Sequence, residues 1–496
     1  MSPSVLDRAR RAALVLSAGA GVAFILLYVG VALARIRYPF ELEWMEGGMV
    51  DHVRRVLSGR PVYAEPSIEF VSFLYPPLYY DVASLAARVL GLSFVPLRVV
   101  SFVSSIGAFA LLFAIVRRET GAVAPGLIAA GLFAATYDRV GGWFDLARLD
   151  SFYLLLLLAG IYVLQGAASS AAAALAGLLI GAAFFTKQAA LVVAVPLAVA
   201  AALTDVKRAA WFTAAAAAVT GGGTMLADRL TGGWFRYYCF FLPGHHPRIE
   251  GGWSSFWTAD LAPALPAALA LAAYGVVIHV LPKGGRPRVF FPLMALGMVG
   301  SSWSVRNMVG AEVNNLLPSF AAVAVLAALA VHALDARLNA SSPVGRRVAA
   351  LAGVAALVAQ FALLAYDPRH HLPTPADRAA GEQLVKRLAA LPGEVYAPHH
   401  GYLTRMAGKD GFAHTLAMDN VFLDDGGPAR DALANGMLHA LAEHRFSAVL
   451  LESDGRYGEA ILARYDAKER AFASPDVFWP VTGGRLRPEM LCFPKP

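Results

Sequence analysis

Long apolar runs recur along the first three-quarters of the chain, and they limit its fold more than any motif does. They lie near residues 12–35, 96–117, 123–137, 150–165, 171–186, 189–203, 209–228, 260–281, 289–303, 316–334 and 347–366. In lipid every backbone N–H and C=O must bond within the protein, so runs of this kind fold as helices. The pattern predicts an α-helical polytopic membrane protein with about eleven transmembrane helices. Composition agrees: of 496 residues, 57% are hydrophobic and 16% charged, and the mean hydropathy is +0.55. Some runs have only 15 or 16 residues, which predicts little tilt or a locally thin bundle.

The formal charge of +7 raises the question of nucleic acid. The basic residues, however, fall in short loops between apolar runs, where membrane topology accounts for them, so no nucleic-acid partner is expected. The start, "MSPSVLDRARR", reads as the cytoplasmic flank of an uncleaved first helix. The segments on its side are then "RARR", "RRETG", "QGAASS", "DVKR", "PKGGRPR" and "DARLNASSPVGRR", and five of these six are basic. The opposite segments hold most of the acids, as the positive-inside rule requires of an inner (plasma) membrane protein with a cytoplasmic N-terminus. Cys239 and Cys492 lie far apart and belong to no metal-ligand cluster.

The organisation expected is a membrane domain over residues 1–367, with an external loop at 36–95, and an extracytoplasmic α/β domain over 368–496. In the second unit "ADRAAGEQLVKRLAALPGEVYAPHH" reads as helix, turn and strand, and "FSAVLLESD" as a buried strand.

The external loop opens with "YPFELEWMEGGMVDHVRRVLSG", which places Glu41, Glu43 and Glu46 just after an apolar span. A helix over 43–57 gathers Met45, Met49, Val53, Val56 and Leu57 on one face, as in an amphipathic helix lying on a bilayer. At about 100° per residue, Glu46 falls among those apolar positions and Glu43 at their edge. A carboxylate on a buried face is costly unless paired or used. Glu41 reads as an ordinary solvated residue. Gly47 and Gly48 weaken the helix but permit close approach of another chain or a ligand. Farther on, Pro76 and Pro77 preset an extended turn, and Tyr75, Tyr79 and Tyr80 suit a water–lipid boundary.

With these features the chain resembles the GT-C superfamily of integral membrane glycosyltransferases, such as bacterial protein mannosyltransferases and lipid A aminoarabinose transferases. The resemblance rests on "ELEWMEGG" after the first span, on Gly59, Pro61 and Tyr63 with "YPPLY" (75–79), and on the multispan body with its C-terminal domain. It implies transfer of a sugar from a polyprenyl-phosphate-sugar donor, among membrane lipids, to an unidentified lipid, glycan or protein acceptor at the extracytoplasmic face. It also implies a first-loop acid as catalytic base or acceptor anchor. Many relatives have an adjacent Asp-Glu pair where this chain has Met45-Glu46, which leaves Glu43 and Glu46 as alternative bases.

Other external groups fit such chemistry. Asp145, Arg148 and Asp150 are spaced to pair with one another, or to orient the acceptor or a possible divalent cation. Lys187 is either a snorkelling lysine or a partner for the donor phosphate. His245, His246 and Arg248 sit in a large later loop as phosphate ligands or plain solvated residues. Adjacent histidines suit one zinc ion poorly. Arg306, with Glu312, Asn314 and Asn315, should face a cavity rather than lipid. A carboxylate can take the acceptor's proton as its oxygen attacks the anomeric carbon, while cations stabilise the leaving phosphate. Direct displacement inverts that centre. No certain cofactor is implied, since a phosphate-binding nucleotide loop is lacking. A transporter or a non-catalytic envelope-assembly protein on the same scaffold are the rival readings.

Overall fold

The computed structural model describes residues 3–281, 289–336, 338, 342–452 and 457–496. The basic segment at 282–288, most of the segment at 337–341 and the end of the predicted strand at 453–454 lie outside the described residues.

Each predicted apolar run is helical over most of its length. The first of these helices are α1 (Pro3–Arg35), α4 (Phe94–Thr120), α5 (Val123–Ala135), α6 (Asp150–Gln165), α7 (Ser170–Phe184), α8 (Ala190–Thr204) and α9 (Val206–Ala217), with α2 (Glu46–Leu57) and α3 (Leu78–Leu90) in the loop after α1. Their reach is unequal. Among the described residues, Ser4–Arg35, Phe94–Thr120, Val313–Ala336 and Val344–Leu363 are long and apolar enough to cross a bilayer. Gly252–Ala264 and Pro266–Val280 are together apolar enough to cross but are bent by 107°, the geometry of a broken span or a re-entrant loop. The bend falls at Leu265, where Pro266 removes a backbone donor and disfavours helical geometry before it.

The helix Leu317–Ala336 is apolar on every side, and every residue from Leu317 to Val331 is buried. A helix of that composition belongs at the centre of a bundle. Around it, glycines set the closest approaches. A Cβ on Gly131 of α5 would fall 2.0 Å from the Gly21 Cα of α1, so only glycine permits this crossing.

The inner faces of the loop helices pack on protein, while α3 leaves Leu85, Val89 and Leu90 exposed on its outer face. Residues 43–45 form a turn rather than the first turn of the predicted helix, because the Glu46 carboxylate accepts the Leu42 N–H and folds the chain back on itself. The apolar face of α2 (Met49, Val50, Val53), with Tyr79 and Tyr80 of α3, lies in a second core shared with Tyr402, Leu403, Val421 and Val449. Tyr79 and Tyr80 are fully buried, whereas the sequence suggested a wet boundary. The glycine pair is the site of close approach: a Cβ on Gly47 would meet the Tyr402 ring at 2.7 Å, and one on Gly48 the Phe73 ring at 2.4 Å.

That second core is built on a four-stranded sheet, β1 (Glu394–Tyr396), β2 (Phe446–Leu451), β3 (Tyr465–Arg470) and β4 (Met490–Pro494), in the order β1-β2-β4-β3. The β1–β2 pair is parallel, and β2–β4 and β3–β4 are antiparallel. The helix Pro375–Ala390, started by a Thr374–Asp377 capping box, packs on it through Leu384 and Leu388.

Gly131→Val is expected to lower the thermal midpoint of the detergent-solubilised protein by forcing α1 and α5 apart, a cost of about 1–3 kcal/mol. Gly30→Val, where a Cβ meets nothing within 4 Å, is expected to leave the midpoint nearly unchanged.

Candidate functional site

The two loop glutamates that the sequence left as alternatives have different surroundings. Glu46 is saturated. Its Oε1 accepts from Arg98 Nε at 3.0 Å and from the Ala147 N–H at 2.6 Å. Its Oε2 accepts from an Arg98 terminal nitrogen at 2.5 Å and from the Leu42 N–H at 2.7 Å. Arg98 in turn donates to the Tyr38 and Phe40 carbonyls. Burial would raise the Glu46 pKa, but the Arg98 charge and these hydrogen bonds outweigh it and hold the group below the ordinary carboxylate range. Glu46 thus pins the first loop to α4 and to the turn before α6, and no lone pair is left for a substrate proton.

Glu43 is equally buried but half satisfied. Its Oε2 accepts from Arg148 at 3.0 Å, and its Oε1 has no partner. Burial pushes it up to about 7, with Arg148 opposing and Glu46 adding like-charge repulsion. Arg148 also donates to the Tyr75 hydroxyl at 3.2 Å, which brings the "YPPLY" motif to the carboxylate. The Tyr75 and Trp143 rings lie beside the guanidinium, with centroids at 5.8 and 5.7 Å. A buried carboxyl group with a free oxygen and a pKa near neutrality suits a general base.

The expected pairing within "WFDLARLD" does not form. Each member instead finds a partner from a distant part of the chain. Asp145 accepts from Arg35 through both oxygens, at 2.7 and 2.8 Å, and from the Tyr137 hydroxyl at 3.0 Å. Asp150 accepts from Lys187 at 2.7 Å, and Lys187 also donates to Asn315 at 2.8 Å. The chain turns through a short 3-10 helix, Trp143–Asp145, so the three side chains diverge. Asp145 and Asp150 are each paired with their own cation. Among the described residues, no three His, Cys, Asp or Glu side chains are gathered as a metal ion would need.

The cations expected at a donor phosphate each take partners of their own, although Arg248 is bridged to Met308, two residues past Arg306, and Val305 lines the cavity beside Lys187. Lys187 lines a small cavity with Asp150, Tyr153, Ser301, Asn314 and Asn315. Arg306 pairs with Asp260 at 3.1 Å and donates to the Ala311 carbonyl. Arg248 lies over the Trp253 ring. His245 bonds the Phe241 carbonyl, and His246 contacts Asn420 at 3.1 Å.

Several residues that shape the site were not singled out in the sequence. Arg35 and Arg98 are lone cations at the ends of apolar helices, a placement that by itself signals a buried partner. Glu41 is buried rather than solvated. It accepts the Gly47 N–H at 2.9 Å and lies 2.6 Å from His400 Nδ1. Burial pushes Glu41 well up and pulls His400 down to about 3. Glu452 bonds His399 at 3.0 Å and sits 3.9 Å from His400. The Glu41–His400 contact joins residues 359 positions apart, which no local pattern encodes.

His52 and His414 fasten the loop in a defined tautomer. His52 Nδ1 faces the Gly48 carbonyl at 2.7 Å and so carries the proton, while Nε2 accepts the Phe73 N–H at 2.8 Å. His414 Nε2 donates to the Trp44 carbonyl at 3.3 Å, and its Nδ1 accepts the Leu416 N–H at 3.1 Å. Protonation would destroy one acceptor in each ring.

Residues 75–227 match the family model described as dolichyl-phosphate-mannose-protein mannosyltransferase. Two solved structures share the fold. ArnT from Cupriavidus metallidurans bound to undecaprenyl phosphate aligns with a TM-score of 0.59 at 13% identity, covering 95% of this chain and 97% of that one. ArnT from the same organism in the apo state aligns with a TM-score of 0.58 at 13% identity, covering 95% and 98%. No curated protein matches the chain significantly.

Burial pulls His52 down to about 4 and His414 to about 3, below the unfolded value near 6.5. The unfolded chain therefore binds protons first. The stability these rings supply is complete above pH 6.5 and is lost as pH falls toward 4 and 3, by about 1.4 kcal/mol per pH unit for each ring. Glu41, with its raised pKa, contributes in the opposite sense, so the test compares variants. The thermal midpoint in detergent is expected to fall between pH 7 and pH 5, and to fall less in His52→Gln and His414→Gln.

Proposed function

On the premise of a GT-C membrane fold, we propose that the chain is a polyprenyl-phosphate-dependent glycosyltransferase, with Glu43 as the base that accepts the acceptor's proton. The observation that carries this reading is the Glu43 carboxyl group, fully buried, with one oxygen held by Arg148 and the other unpartnered. The match to a mannosyltransferase family model over residues 75–227 and the fold of an undecaprenyl-phosphate-bound protein support the donor class.

In this reading the acceptor hydroxyl attacks the anomeric carbon of the lipid-linked sugar. Its proton passes to Glu43 Oε1, the carbon–oxygen bond to phosphate breaks, and polyprenyl phosphate leaves. Attack opposite the leaving group inverts the anomeric centre. Arg148 fixes the free oxygen's direction through Oε2, and Tyr75 fixes Arg148. Lys187, held by Asp150 and Asn315 beside a cavity, is the cation placed for the phosphate charge that develops in the transition state. Glu46 and Asp145 hold the scaffold and take no part in proton transfer. The acceptor is a cell-envelope lipid, glycan or protein at the extracytoplasmic face of the inner membrane, with the N-terminus and the basic loops on the cytoplasmic side and about eleven crossings.

Loss of a general base costs roughly 10²–10⁴-fold in rate. Glu43→Gln, whose amide oxygen can still accept from Arg148, is expected to lose transfer by at least about 100-fold at matched amounts of folded protein, read by mass spectrometry of envelope glycolipids and glycans in a deletion strain complemented with each variant. Glu46→Gln is expected to reduce the amount of folded protein, since a neutral amide cannot hold Arg98 bidentately. Wild-type glycans in the Glu43→Gln strain would refute the assignment.

A further inference from the structure

A wall of the Glu43 site comes from an unexpected part of the chain. The connection between β3 and β4 carries "PVTGGRLRP", residues 480–488. Its tip lies on the carboxylate. A Cβ on Gly483 would stand 3.2 Å from Glu43 Cγ, 3.6 Å from Glu43 Oε1 and 3.4 Å from the Trp143 ring. Gly483 has φ +73°, a conformation that side chains oppose. One residue on, a Cβ on Gly484 would stand 3.5 Å from Trp44 Nε1. Two consecutive glycines thus let main chain, without side chains, roof the carboxyl group.

The roof is lightly fastened. The flank is firm: the Phe478 N–H donates to the buried Asp377 at 2.6 Å, and the Phe478 ring packs on Phe40 at 5.1 Å. Arg487 stacks on Trp479. At the tip, over residues 481–485 and among the described residues, a single hydrogen bond ties the segment to the first loop, from the Thr482 N–H to the Leu42 carbonyl at 3.0 Å. The buried Thr482 hydroxyl has no partner. Gly483 itself is exposed, whereas Glu43 beneath it is 0% exposed. In this arrangement no acceptor hydroxyl can reach Oε1.

We propose that the tip at residues 481–485 is the gate to Glu43. Opening breaks one main-chain hydrogen bond and uncovers the free oxygen; closing over a bound acceptor excludes water from the transfer. The gate rests on the reading of Glu43 as the base, but access to residue 43 can be measured apart from chemistry.

The test uses the full-length protein in detergent with Glu43→Cys, labelled with N-ethylmaleimide and followed by mass spectrometry. The native Cys239 and Cys492, both buried, serve as slow internal references. Labelling at position 43 is expected to be slow, and at least about tenfold faster with Thr482→Pro, which removes the N–H that holds the tip. Equal rates with and without Thr482→Pro would overturn the gate, as would labelling of Glu43→Cys alone at the rate of an exposed Arg485→Cys control. The unsubstituted protein gives a second reading that needs no variant to fold. Hydrogen exchange of a peptide covering 480–487 should run at least about tenfold faster than that of 490–494 in β4, and equal protection would overturn the proposal. If the gate behaves as described while Glu43→Gln keeps full transfer, the base assignment fails and the gate does not.

Discussion

The bidentate pair between Arg98 and Glu46 holds the loop after α1 to the helical body. Both side chains are fully buried, and four hydrogen bonds to the carboxylate leave neither charge exposed to low dielectric. Breaking such a pair strands a charge in the interior and costs about 3–5 kcal/mol. Because the same carboxylate takes the Leu42 and Ala147 N–H groups, it fixes the backbone on both sides of Glu43 and beside Arg148. The position of the candidate base is therefore set by its neighbour. One glutamate is spent on structure, and the other is left half-satisfied in the frame that results.

Arg35 and Asp145 repeat the device at the end of α1, and Lys187 with Asp150 repeats it at the mouth of α6 and α8. Three ion pairs between different helices thus surround Glu43–Arg148. The C-terminal sheet completes the enclosure, since it shares one apolar core with α2 and α3 and sends the irregular segment at 481–485 over the carboxylate. Burial produced by this assembly is what raises Glu43 toward neutrality.

The helical body was legible because apolar runs without polar breaks admit one backbone solution in lipid, and helices appear at each predicted run. The interest of the first loop was legible too, since Glu46 fell on an apolar face. Its pairing was not. Arg148 stands near Asp145 and Asp150 in sequence, and only the turn at Trp143–Asp145 sends it to Glu43 instead. The apolar stripe on α2 signalled burial without saying against what. Lipid and a sheet 350 residues away demand the same pattern, so the helix read as a surface helix packs against Tyr402 and Leu403. Glu41, His400 and the glycine segment at 483–484 carried no local signal because their roles exist only across that interface.

The central claim is that Glu43 is poised to exchange a proton near neutral pH. Infrared difference spectra of the protein against Glu43→Gln, recorded across pH, test it most directly through the protonated-carboxyl band. The account predicts that a band absent from the variant titrates with a midpoint of about 7. A midpoint near the ordinary glutamate value of about 4.3, or a band unchanged by the substitution, would contradict it.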